Sequence, residues 1–167
     1  NSAQVIFMLN ALIEDLNKYV LFLKKEYDLN LSFHDFFTLS KEYPALLSLS
    51  SHTDSFCKII KAVPELFIKC REHQLKVAKC CWAKSRCGMC YAGLEEFVYP
   101  IKIQDTNVGF ISVSGYRFNP KKAEKRMRQI TGSYPVSYTN LREAYALLKE
   151  DAPDSIFLDS LIAPAAH

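Results

Sequence analysis

The sequence predicts an α+β fold in which helices flank one small antiparallel sheet. Three observations predict it. A long stretch near the start repeats apolar residues every three or four positions. After Gly88 the period changes to two, along two arms joined by polar turn residues. The composition, 49% hydrophobic and 23% charged over 167 residues, is that of an ordinary globular domain rather than a disordered or fibrous chain.

Residues 4–26 read as an amphipathic helix. Val5, Leu9, Leu12, Leu16, Tyr19 and Leu23 share one face, and Ile6, Ile13 and Val20 widen it. Glu14, Asp15, Lys18, Lys24 and Lys25 lie mostly opposite. This stripe packs on the domain's own core or, being nearly heptad, pairs with a second copy of the chain. Leu29, Leu31 and Phe33 alternate with Asn30 and Ser32, which predicts a short half-buried strand with 35–39 as its hairpin partner. Pro44 opens a short helical stretch toward Leu49. The polar run from Ser50 to Asp54 precedes Phe56, Ile59 and Ile60, so a helix starts there with Thr53 or Asp54 as its cap. Pro64 suits the first position of the next helix, where a missing N–H costs nothing. That helix is expected to reach Lys84.

Phe97, Tyr99, Ile101 and Ile103 then alternate with Glu96, Val98, Lys102 and Gln104. Asp105, Thr106 and Asn107 supply turn chemistry. On the second arm Phe110, Ser112, Ser114 and Tyr116 fall on one side, and Ile111, Val113 and Gly115 on the other. The two arms form the hairpin. Asn119 and Pro120 are a cap and a first helical residue, for a helix to Ile130. Asn140 with Glu143 has the pattern of a capping box for a helix reaching Lys149, and Asp154 caps a last helix through Ile162.

The length suits one domain, large enough to bury about 70% of its unfolded surface. The net charge of +3, from 21 basic and 18 acidic residues, is too mild to point to nucleic acid. No apolar run spans a membrane and no leader pattern is visible, so a cytoplasmic setting without membrane contact is expected. The six cysteines, Cys57, Cys70, Cys80, Cys81, Cys87 and Cys90, are confined to one central stretch. Reduced thiols are expected in that setting.

Cys87-Gly88-Met89-Cys90 is a Cys-x-x-Cys, and Cys70 and His73 share a helix face. Cys70, His73, Cys87 and Cys90 have the donor types of a structural zinc site. Core packing for Cys70 and solvent for His73 is the simpler reading, so no metal or cofactor is expected. A thiol-based metal or redox switch on those four residues is the alternative. No phosphate loop, nucleophile elbow or His-Glu-x-x-His occurs, so no enzyme is expected. Lys121, Lys122, Lys125, Arg126 and Arg128 make a basic run on one helix, most simply a solvated face.

Ser51-His52-Thr53-Asp54-Ser55-Phe56-Cys57-Lys58-Ile59-Ile60, then Cys70-Arg71-Glu72, then Cys90-Tyr91-Ala92-Gly93-Leu94, Pro100-Ile101, Gly109 and Gly115 occur in order. This order resembles the PocR sensory domain. The resemblance implies a PAS-like fold, an antiparallel sheet cupping a cavity for a short diol or other simple hydrocarbon derivative. It also implies a sensor that stands ahead of an AraC-type helix-turn-helix domain, or in a signalling kinase. Here a transcription regulator is expected, a homodimer through the first helix, reaching DNA only through a helix-turn-helix domain missing here. Residues 4–26 would then be an N-terminal helix, 27–130 the sensor core, and 131–167 helices leading to that effector. Cys57, Cys70, Cys90, Gly93, Gly109 and Gly115 match the family pattern. With Phe33, Tyr91, Ser112 and Ser114, the residues Cys57, Cys70, Cys90 and Gly93 are the candidate ligand-binding set. Tyr91 stands where His is expected, and Cys80, Cys81 and Cys87 lie outside the pattern, which argues against Cys–His chemistry.

Overall fold

A computed structural model describes residues 2–35, 49, 52–80, 86–103, 106–117, 119–150 and 153–162. Among them the chain order is α1 (Ser2–Glu26), β1 (Leu31–Asp35), α2 (Ser55–Lys61), α3 (Pro64–Cys80), β2 (Arg86–Met89), β3 (Glu95–Ile103), β4 (Thr106–Tyr116), α4 (Pro120–Ser133), α5 (Tyr138–Ala146) and α6 (Ser155–Ile162). The strands form one antiparallel sheet in the order β1-β4-β3-β2. This is an α+β architecture consistent with a PAS-like fold. Asp35 belongs to β1 itself; the rest of the expected hairpin partner at 35–39, the short helix after Pro44 except Leu49, and residues 81–85 toward Lys84 lie outside the described residues.

The sheet is covered on both faces. One face carries Leu31, Phe33, Phe97, Tyr99, Ile111 and Val113, and packs against α1 and α6. Among the described side chains of α1, Ile13, Val20 and Leu23 are buried, with Leu16 and Tyr19 beside them; those of residues 2–10 and 12 lie outside the description. Each such side chain contributes about 1.5–3 kcal/mol by leaving water. Two hydroxyls fix α6 on this face: Tyr99 donates to Asp159 at 2.8 Å, and Tyr19 donates to the Leu161 carbonyl. A second core joins Phe56 and Ile60 of α2, Leu66 of α3, Met127 and Ile130 of α4, and Leu141 and Tyr145 of α5.

The helix starts follow local chemistry. The Asp54 carboxylate accepts from the Cys57 N–H at 2.8 Å, and Asn119 accepts from Lys122 N–H at 3.2 Å ahead of Pro120. Asp154 accepts from Ile156 N–H at 2.6 Å. Each cap is worth about 1 kcal/mol. Asn140 is not a cap: it lies inside α5, and Ser137, in extended backbone, accepts from its N–H at 3.3 Å. The helix therefore begins earlier than the Asn140–Glu143 pattern suggests, and it ends at Ala146.

Two register shifts bend the hairpin. At one, Glu95 pairs with Tyr116 and Glu96 with Ser114, so Gly115 is the extra residue, with φ +86°. The bulge turns Tyr116 to the α1 face, away from Ser112 and Ser114. Gly109 has a different task. A Cβ there would overlap the His34 carbonyl oxygen and lie 2.9 Å from Phe33 Cε2. The absent side chain thus lets β1 pair with β4 and gives Phe33 its place.

Gly109→Ala is therefore expected to destabilise the fold by about 2 kcal/mol or more, since backbone must move. Gly132, in α4 with nothing near its missing Cβ, should gain about 0.5–1 kcal/mol as Ala. Urea unfolding of both variants checks this; equal effects would contradict the packing described.

Candidate functional site

The second face of the sheet is polar. Ser32 stands opposite Ser112, His34 opposite Phe110, and Glu96 opposite Ser114. Because strand side chains alternate, Ser32 and His34, Glu96 and Val98, and Phe110, Ser112 and Ser114 all project to this side. Yet it is not a solvent face. Ser32, Glu96, Ser112 and Ser114 are at most 3% exposed, beneath α3 and the segment leading into α2.

Glu96 is the centre. His73 of α3 bonds its Oε1 at 2.9 Å, and Ser112 Oγ donates to Oε2 at 3.0 Å. Burial pushes this carboxyl up, but the hydrogen bond from His73, the neighbouring His52 and the bond from Ser112 outweigh it, and its pKa lies below the ordinary value. A narrow crevice lined by His73, Val77, Gly88, Met89, Glu96 and Val98 reaches the group.

Two further imidazoles share one hydroxyl. Ser32 Oγ lies 3.0 Å from His34 Nε2 and 2.8 Å from His52 Nε2. The hydroxyl can donate to one ring and accept from the other, which suits neutral imidazoles. The His34 ring stacks on Phe110 at 4.7 Å. Burial, then the adjacent His52, push His34 down to about 3, and burial lowers His52 as well. Beside them the Ser114 hydroxyl is buried with no hydrogen-bond partner among the described residues.

The thiols border this face. Cys57, Cys70 and Cys90 are all electrostatic neighbours of the Tyr91 phenol, and Cys70 and Cys90 of Glu96. Burial raises all three, Cys90 to about 12. Tyr91 donates to the Leu66 carbonyl at 2.8 Å. At neutral pH these thiols are protonated, whereas nucleophiles and metal ligands are thiolates.

The candidate set is thus partly brought together. Cys57, Cys70, Cys90 and Tyr91 gather at one end, and Ser112 and Ser114 lie on the same face as Glu96. Phe33 does not join them: opposite Ile111, it is buried in the core against α1 and α6. Gly93 shapes the turn after Cys90, with φ +103° and its N–H on the Cys90 carbonyl, so backbone geometry requires it. The four residues of the zinc alternative do not assemble. Cys87, opposite Phe97, is exposed on the far side of β2, and His73 is engaged by Glu96. Among the described residues no group of His, Cys, Asp or Glu is arranged to hold a metal ion.

Sequence reading leaves Glu96, Ser32, His34 and His52 out of the candidate ligand-binding set, although His34 and His52 are visible in it as possible bases. The available signal is that β1, β3 and β4 place hydroxyl, imidazole and carboxylate groups on one side, which emerges only once the register is known.

The family model for the sensory domain found in PocR matches residues 38–152, more than half of the chain. That span holds Glu96, Ser112, Ser114, His52, His73 and the three bordering thiols. No curated protein and no solved structure gives a match.

The buried imidazoles set a pH dependence. His34 takes a proton at about 6.5 when unfolded but only near 3 when folded, so stability falls as pH drops through that window. Glu96, depressed below 4.5, adds stability that is present above that value and is lost as pH falls through its folded pKa. Urea unfolding between pH 7 and pH 4 should show a loss of a few kcal/mol, with a shallower slope in His34→Gln. Parallel profiles would contradict a neutral, buried His34.

Proposed function

We propose that this chain, which belongs to the family of the sensory domain found in PocR, senses a small organic molecule on the polar face of its sheet. The ligand is a short diol or a similar hydrocarbon derivative carrying a hydroxyl. The observation that carries this reading is the unpartnered Ser114 hydroxyl beside the Glu96–Ser112 pair. A buried hydroxyl without a partner costs about 1–3 kcal/mol, and a ligand hydroxyl would recover it. Cys57, Cys70, Cys90 and Tyr91 supply a weakly polar wall for the carbon skeleton.

Binding rather than catalysis suits these groups. Both Glu96 oxygens are engaged, and the thiols are protonated rather than activated. A ligand acts by favouring one arrangement of the sheet face over another. The other face carries α1 and α6, tied by Tyr19 and Tyr99, and these helices relay the change. In this reading α1 also serves a homodimer. DNA contact belongs to a helix-turn-helix domain elsewhere in an AraC-type transcription regulator, and the domain works in the cytoplasm. Among the described residues no helix is long and apolar enough to cross a membrane. A monomer by light scattering would remove the dimer from this account.

Calorimetric and thermal-shift titration with short diols, alcohols and aldehydes tests the reading. At least one should bind saturably, and Ser114→Val should weaken it about tenfold, near 1.4 kcal/mol. No stabilisation by any member, or equal binding by Ser114→Val, would count against it.

A further inference from the structure

Two helix faces meet beside the thiol wall. On α3, Lys69, Glu72, His73 and Lys76 recur at three- and four-residue steps, and so do Arg126, Gln129, Ile130 and Ser133 on α4. Between them lies a cleft of about 390 Å³, floored by Leu66 and Tyr91 and flanked by Tyr134. Lys69, Lys76 and Arg126 line it against one acid, Glu72. Among the described residues none of these cations is in an ion pair, whereas Arg128, on the same basic run, pairs with Glu124 at 2.8 Å and lies over the Tyr138 ring. The run therefore divides: Arg128 is satisfied within the helical layer, and Arg126 faces the cleft.

Arg126 is also positioned. A Cβ on Gly93 would come within 3.1 Å of Arg126 Cβ and 3.4 Å of its Cγ, so the arginine stem lies directly on the Gly93 turn. Its Nη1 donates to Gln129 Oε1 at 3.3 Å, which keeps the guanidinium on the cleft side. Tyr91, anchored on the Leu66 carbonyl, fixes the floor.

We propose that this cleft binds a small organic oxyanion, a carboxylate or a phosphate ester of metabolite size. With three cations against one carboxylate, the concave site keeps a net positive field focused on an incoming anion. An arginine fork matches a carboxylate or phosphate with two parallel hydrogen bonds, and the two lysines add point charges. Leu66 and Ile130 offer apolar surface for the carbon skeleton, and the volume falls within the usual range for small-molecule sites, about 300–1,000 Å³. The site is separate from the sheet face, although His73 borders both, lining the cleft while bonded to Glu96.

The test is titration of the purified chain with succinate and with inorganic phosphate at low ionic strength, followed by calorimetry and by amide NMR shifts. Saturable binding is expected for at least one, with shifts at Arg126, Lys69 and Tyr91, weakening as salt is added. The stronger of the two identifies the carboxylate or the phosphate class. Succinamide, neutral with the same skeleton, should not bind. Arg126→Gln should weaken the anion about tenfold. Should that variant fail to fold, the exposed pair Lys69→Gln with Lys76→Gln carries the same expectation. No saturable binding of either anion, equal binding of succinamide, or undiminished affinity in the folded variants overturns the proposal.

Discussion

A carboxylate removed from water must be satisfied by its neighbours, and the rest of this domain is arranged around the one at Glu96. Its two oxygens are held from different elements, by His73 from α3 and by Ser112 from within the sheet. Leaving such a charge without a partner typically costs about 3–5 kcal/mol, so α3 and the sheet are bound to one geometry. The two larger apolar cores lie to either side of this layer. One joins the opposite sheet face to α1 and α6, and the other packs α2, α4 and α5 together. A small third, Val77, Val98 and Phe110, packs α3 onto the sheet face that carries Glu96.

The polar layer also explains the cysteines. Cys57, Cys70 and Cys90 sit between it and the helical core, in surroundings that keep them protonated. A protonated, partly buried thiol behaves as a small polarisable hydrophobe. In the proposed sensory role such a thiol offers the ligand a weakly polar surface without reacting with it. Cys80 and Cys87 are exposed and stand apart from this group.

What the sequence makes legible is what local chemistry decides. Asp54, Asn119 and Asp154 act on N–H groups within three residues, and Pro64 and Pro120 open the helices they announce. The β3–β4 hairpin follows from period two. The face that matters does not. Alternation places Glu96 on the polar side of its strand, which reads as solvent until α3 is seen to cover it. Tyr116 depends on a bulge at Gly115 that appears only in the backbone. The Cys-x-x-Cys suggests a paired site, but Cys87 belongs to a strand too short to announce itself, while Cys90 lies in the turn beyond it. Phe33 has the composition of a pocket residue, and only its register opposite Ile111 assigns it to the other face.

The sensory reading depends on an ionised Glu96 held in place beneath α3, with Ser114 left open beside it. Carbon-detected NMR titration of the Glu96 side-chain carboxyl measures this most directly. A midpoint below the ordinary 4.5, shifting upward when Ser112 is replaced by Ala, is the result this arrangement predicts. A midpoint at or above 4.5, insensitive to Ser112, would contradict it.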